Sequence, residues 1–403
     1  MSSSLINVLR STPTTAGDVA ELLGEQSQCN LLHALAGVPD PRHRRGVRYR
    51  LASLLAVAVC AVLAGATTFA AISDWAADLD ARGRRRLGFT GRVPAGSTVW
   101  RFLVRLDIAA LQTVLTGWLR SRTHAPDATA PPSDRVVIAV DGKLLRGARL
   151  PQGRQVHLLS AYDTTTGLVL AQVCVNAKSN EIPAFTPLLD QVKAQLGSLA
   201  GVVVTADALH AQVGHVHTVT ALGAHLLVQV KANQPTLHNR LKRLPWADAP
   251  TGHRTRERGH GRTETRTVKA LTVATPGGLG FPHAAQAVRI TRTRTVEGKT
   301  TRETAYMIVT LPAVDAQPAD LADWARQHWH IENRLHWVRD VTFAEDAHQA
   351  RTGNGPAIAA ILRNTAIGYH RSNGEPNIAR ATRRANRRPD ELINAVTSTP
   401  RTQ

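Results

Sequence analysis

The spacing of apolar positions changes character twice along this chain of 403 residues. Up to about residue 125 it is helical. Apolar residues recur through Leu31 to Leu35, fill LASLLAVAVCAVLAGATTFAAI over 51–72, and return in VWRFLVRLDIAALQTVLTGWL over 99–119. This spacing predicts an all-helical N-terminal domain over 1–125. THAPDATAPPSD, 123–134, has the Pro, Ala and Asp content of a linker and predicts a boundary.

From Val136 the period becomes that of strands. VVIAVDG is a short β-branched run that predicts a first strand ending at Asp141, with Asp-Gly as a turn. QVHLLSAYD and LVLAQVCV, joined by TTTG, predict a hairpin. EIPAFTPLLDQVKAQLG is helical, GVVVTAD is a fourth strand, residues 209–222 are a helix and HLLVQVK is a fifth strand. Three strands, helix, strand, helix, strand predicts an α/β fold with an RNase H-like mixed sheet, its first and fourth strands parallel neighbours. This predicted α/β core spans 135–370. Within it, 236–310 reads as an inserted β-rich segment, as in TETRTVKALTV and AVRITRTRTVEG. Helical spacing returns at Ala319, and 371–403 reads as a basic C-terminal tail.

Charge sharpens this outline. With 49 Lys+Arg against 30 Asp+Glu the net charge is +19 and the isoelectric point near 11.1. Such an excess concentrates polyanions at the surface, so nucleic acid is the expected partner. Cys29, Cys60 and Cys174 lie far apart, form no CxxC pair and are odd in number, which excludes a disulfide framework and a thiolate zinc site. A reducing cytoplasm is the expected location. The run over 51–72 carries no charge for 22 positions. Its Ala, Thr, Ser and Gly contribute little to membrane insertion and no second span follows, so a buried helix of a soluble domain is expected, with no membrane partner.

The acids carry the chemistry. Asp141 closes the first predicted strand and Asp207 the fourth, so the predicted topology brings their carboxylates together at the carboxyl edge of one sheet. Plotted as a helix, 321–340 puts Trp324, Ile331, Leu335 and Val338 on a core stripe, with Glu332 on a neighbouring face beside His328, His336 and Arg339. Two aspartates on adjacent strand ends and a glutamate on a later helix suit two hard divalent cations for phosphodiester chemistry, which want carboxylate oxygen.

Several blocks are distinctive and follow in order: PDPRHRRGVRYRLASLLAVAVCAVLAG, VVIAVDGKLLRG, AKSNEIPAFTPLLD, VVVTADALHAQ, VKANQPTL, RERGHGRTETR and HWHIENRLHWVRDVTFAEDA. Through them the chain resembles the DDE transposases of bacterial insertion sequences, in the branch of H-repeat-associated proteins, over almost its full length. The resemblance implies Asp141, Asp207 and Glu332 as catalytic residues and ligands of two Mg²⁺ ions, with Mn²⁺ as a substitute. It implies strand cleavage at transposon ends, strand transfer into target DNA, and a homodimer in the synaptic complex. Relatives place Tyr, Arg and Lys seven before, four before and seven after the glutamate. Here those positions hold Ala325, His328 and Arg339.

Expected DNA contacts are Lys143 and Lys231 near the carboxyl edge, Arg258, His260 and Arg262 of RERGHGR, and His328, Trp329 and Arg339 around the glutamate. Trp329 is expected to stack on a flipped or splayed base. The tail holds six arginines to position 388, read either as a backbone contact or as a solvated disordered segment. Two rival functions stand beside this one. A non-catalytic DNA-binding descendant of a transposase would keep the basic surface and lose the carboxylates. A metal-binding protein using His215/His217 or His328/His330 fails on geometry, because alternate residues of a helix point in different directions.

Overall fold

The structure is a computed structural model that describes residues 30–123, 135–150, 153, 155–176, 179–259, 261–275 and 277–398. The helical spacing becomes six helices: α1 Leu31–Leu35, α2 Leu51–Leu63, α3 Phe69–Asp78, α4 Ala81–Arg86, α5 Gly96–Leu103 and α6 Ile108–Arg120. The long apolar run breaks in two. Helix α2 is apolar all round and buried, and it stops where Gly65 takes φ +97, a conformation that favours glycine. Among the described residues no single helix is long and apolar enough to cross a membrane, although α5 and α6 would pass together on length and composition and are bent by 100° at their break. The expected linker at 123–134 lies outside the described residues except for Thr123.

A nine-stranded sheet follows, comprising β1 Val137–Arg149, β2 Gln155–Asp163, β3 Val169–Cys174, β4 Val203–Ala206, β5 His225–Val230, β6 His253–Gly259, β7 Arg262–Thr272, β8 Gln286–Val296 and β9 Lys299–Val309. Its order is β3-β2-β1-β4-β5-β9-β8-β7-β6. The first three strands are antiparallel neighbours and β1, β4 and β5 are parallel, which is the RNase H-like arrangement read from the sequence. Helices α7 Ile182–Leu196 and α8 Val213–Ala221 cross between strands, and α9 Pro235–Lys242 opens the inserted segment. The insertion continues the sheet, because β9 pairs antiparallel with β5 from Leu227↔Val309 to Val230↔Tyr306.

The first strand departs from expectation. Asp141 does not end β1. The parallel ladder with β4 ends at Val140↔Ala206, but β1 runs on through Asp-Gly to Arg149, held by β2. An Asp-Gly pair has turn chemistry only where the chain lacks a partner strand, and here β2 supplies one.

After α10 Pro318–Gln327 comes a π-helical segment, Ile331–His336, then α11 Trp337–Val341, α12 Gly355–Ser372, α13 Ile378–Arg387 and α14 Pro389–Thr397. The expected tail is therefore largely folded: Ile378, Ile393 and Val396 are buried, and α13 and α14 pack on the N-terminal helices. Helix α12 is buried along most of its length and packs on α2, α6 and β3. One apolar cluster thus runs from the N-terminal helices into the sheet.

Candidate active site

The register of β1 and β4 sets the two aspartates side by side. Val140 and Ala206 are paired, so Asp141 and Asp207 are the next residues on adjacent parallel strands, where the short β4 ends. Asp207 also accepts a hydrogen bond from the Leu209 amide at 2.9 Å, capping a single 3₁₀ turn. Its turn chemistry and its place at the edge coexist.

The helix read over 321–340 keeps its core stripe and changes its winding. Trp324, Ile331, Leu335 and Val338 are all at most 5% exposed. The π-helical turn widens the backbone between them, a feature frequent at functional sites. With Ile331 and Leu335 in the core, Glu332 and His336 turn toward β1. The His336 Nδ1 lies 3.4 Å from Asp141 Oδ2 and 3.3 Å from Glu332 Oε2. His336 is buried while the Glu332 side chain is 63% exposed. Burial pushes the imidazole pKa down, but the bonds to Asp141 and Glu332 outweigh it and raise it. The His336 bond in turn holds the Glu332 carboxyl below its usual range against the effect of burial.

Ligand atoms from Asp141, Glu332 and His336 all lie within 4.8 Å of one another. Two carboxylate oxygens and an imidazole nitrogen are a donor set that fits a divalent cation. Asp207 is outside that cluster, one strand away. His328 feels both aspartates: burial lowers its pKa while Asp141 and Asp207 oppose this, and its Nδ1 lies 3.1 Å from the Thr205 hydroxyl. A cavity of about 560 Å³ opens beside Asp207, lined by His328, the 60% exposed Trp329, Ala325 and apolar residues of the extended sheet.

Two expected DNA contacts have other partners. Lys143 is buried, and its ammonium pairs with Asp340 at 2.6 Å, tying β1 to α11. Arg339 is 0% exposed and bonds Glu345 at 2.7 Å, which also takes Arg363 at 2.9 Å, while Arg363 donates to the Thr67 carbonyl. Burial raises the Glu345 carboxyl, yet the two guanidiniums outweigh it and hold it low. Neither side chain is free at the surface; both fasten the glutamate-bearing segment. Lys231 is exposed just past β5. Arg258 and Arg262 flank the β6–β7 hairpin tip and are exposed, and His260 lies outside the described residues. The pairs His215/His217 and His328/His330 do not converge: His215 contacts the Ile182 carbonyl and His217 contacts His283.

The sequence placed His336 on the face beside Glu332 but did not join it to Asp141 or to the site, and it pointed nowhere to Glu181. Glu181 precedes α7 and bonds His157 at 3.0 Å and His210 at 3.3 Å. Burial opposes the charge, but these bonds hold its carboxyl down at about 2. It presses on β1 beside Asp141, where a Cβ at Gly142 would run into its Oε1. Histidine in an otherwise apolar strand, as in QVHLLSAYD, and an acid opening a helix were the available signals.

Comparisons with known proteins give the family. Residues 132–368 match the family described as "Transposase DDE domain", and 32–119 match "DDE_Tnp_1-associated". "Putative transposase YncI" of Escherichia coli O157:H7 is 28% identical, over 84% of this chain and 86% of that protein. "H repeat-associated putative transposase YhhI" of Escherichia coli (strain K12) is 28% identical, over 84% of this chain and 89% of its own. Among solved structures, the piggyBac transposase synaptic complex with hairpin DNA aligns at 11% identity with a TM-score of 0.40, covering 94% of this chain and 77% of that one, a likeness too low to carry weight.

Proposed function

The chain belongs to the DDE transposases, and from that premise we propose that it cleaves DNA at the ends of a bacterial insertion sequence and transfers the freed strand into target DNA. One observation supports this most: the β1/β4 register sets Asp141 and Asp207 together, with Glu332 reaching Asp141 through His336. In this reading Asp141, Asp207 and Glu332 hold two Mg²⁺ ions, or Mn²⁺ in their place. When bound, the ions would supply activation of water or of a 3′ hydroxyl and charge neutralisation at the attacking and leaving oxygens.

The remaining roles fall to the chain itself. The Lys143–Asp340 pair and the Arg339–Glu345–Arg363 cluster hold the Glu332 segment against β1 and α12. Lys231 and the tip residues Arg258 and Arg262, with His260 between them in sequence, meet backbone phosphate, so binding weakens steeply with salt. His328 and Trp329 line the cavity beside Asp207, where the exposed Trp329 stacks on a splayed base. Two ends are joined in one complex by a homodimer, in the cytoplasm at the nucleoid.

The test uses duplex carrying the DNA that flanks the gene. A nick at the element end that needs Mg²⁺ and stops with chelator supports the proposal. Binding of that duplex with no nick in Mg²⁺ or Mn²⁺ would favour a DNA-binding descendant that no longer transposes.

A further inference from the structure

The four strands of the basic extension sort their side chains by face. Residues directly opposed in an antiparallel ladder share a side of the sheet. Arg254, Arg256 and Arg258 of β6 oppose Thr267, Thr265 and Thr263 of β7. Those threonines oppose Thr291, Thr293 and Thr295 of β8. These in turn oppose Thr304, Arg302 and Thr300 of β9. One face is therefore a grid of hydroxyls, with a row of arginines along the free edge that β6 forms at the end of the sheet.

The acids of these strands, Glu257, Glu264 and Glu303, all fall on the other face, on the side of Val268 and Ile290. There Glu264 pairs with Arg266 and Arg292, and Glu257 with Arg326. Among the described residues of these four strands, the threonine face carries no carboxylate. Arg254, Arg256, Arg258 and Arg302 are exposed and make no ion pair among the described residues. Within the three rows the one side-chain hydrogen bond among the described residues joins Thr295 and Thr300 at 2.9 Å. Strand propensity accounts for threonines in general. It does not account for unpaired arginines on a face from which every acid is absent.

The extension also reaches the right place. Tyr306 of β9 pairs with Val230, the last residue of β5, so residues 299–305 run on past the carboxyl edge that holds Asp141 and Asp207. At about 3.3 Å per residue that overhang is roughly 20 Å.

We propose that this threonine-arginine face docks the sugar-phosphate backbone of duplex DNA. The proposal rests on the transposase reading and adds a surface to it, on the opposite side of the strands from Arg262. Hydroxyl and guanidinium groups donate to phosphate oxygens, and bonds of this kind position a duplex without reading its sequence.

The test measures binding of full-length protein to a labelled duplex of arbitrary sequence across a salt series. R254Q/R256Q/R302Q should weaken binding at least about tenfold at 0.1 M salt and flatten the logarithmic salt slope by about 0.9 for each phosphate no longer neutralised. T265E/T293E, which sets carboxylates on the face, should weaken binding as well, with both variants melting as the wild type does. Wild-type affinity and slope in both would overturn the proposal. Weakened binding in a protein that never nicks end-bearing DNA would leave the docking face standing and remove the transposase reading. Normal nicking with unchanged binding would do the reverse.

Discussion

Behind the carboxyl edge of β1 and β4, Lys143, Arg339, Glu345 and Arg363 are buried and paired; on the β6–β9 extension many ionisable side chains are exposed, and several have no ion-pair partner among the described residues. Around the acids, Glu345 is held out of water between Arg339 and Arg363, and Lys143 is spent on Asp340. On the extension, Arg254, Arg256 and Arg302 face solvent. Charge at the edge fixes geometry, because a buried ion with its partner removed is costly. Charge on the extension is free to meet a polyanion. The same residue type, arginine, is thus a fastener in one region and, on the proposed docking face, an unpaired surface group in the other.

The largest expected effect breaks the edge. Arg339→Ala leaves Glu345 with one partner and should destabilise the protein by about 3–5 kcal/mol, read by denaturant unfolding. The triple arginine variant on the extension should cost under about 0.5 kcal/mol by the same measurement. Similar losses in both would erase the contrast.

Next in size is a pH effect. The folded Glu181 pKa, about 2, is depressed below its ordinary 4.5. A depressed carboxyl contributes stability that is present above about pH 4.5 and lost as pH falls through 2. Wild-type stability should therefore fall between pH 4.5 and 2 by on the order of 2 kcal/mol more than that of Glu181→Gln. Parallel curves would mean that Glu181 is not held by His157 and His210.

Gly142→Ala sharpens the point, because its Cβ would collide with Glu181 and His157. Overpacking of this kind costs about 1–3 kcal/mol. Strand cleavage should drop beyond what the loss of folded protein explains, since Asp141 is the adjacent residue. Smallest is Trp329→Ala, which should change stability by under about 0.5 kcal/mol, as an exposed side chain does. Its effect should appear in cleavage and joining; normal values there would remove the stacking role.

Much of this was legible in the sequence. Apolar runs ordered the strands, and because parallel neighbours in this topology are set by the crossover helices, Asp141 and Asp207 could be aligned from spacing alone. The core stripe through Ile331 and Leu335 was equally plain. What stayed hidden depends mostly on how separate segments pack. Lys143 finds Asp340 197 residues on, and although Glu345 stands only six residues from Arg339, nothing local says that Arg363 will join it and that the group will be buried. The continuation of β1 past Asp-Gly depends on β2, and the arginines of 371–403 obscured the apolar residues that dock α13 and α14. The π-helical turn leaves no mark in the period, so His336 read as one histidine among several.

The central claim is that Asp141, Asp207 and Glu332 form one metal-binding catalytic site. It is tested most directly by Mg²⁺-dependent cleavage of end-bearing duplex by Asp141→Asn, Asp207→Asn and Glu332→Gln, each beside a binding measurement. Each variant should bind the duplex and lose cleavage by about a thousandfold or more, the scale of removing a group that stabilises charge in the transition state. Wild-type cleavage by any one of the three would contradict the assignment.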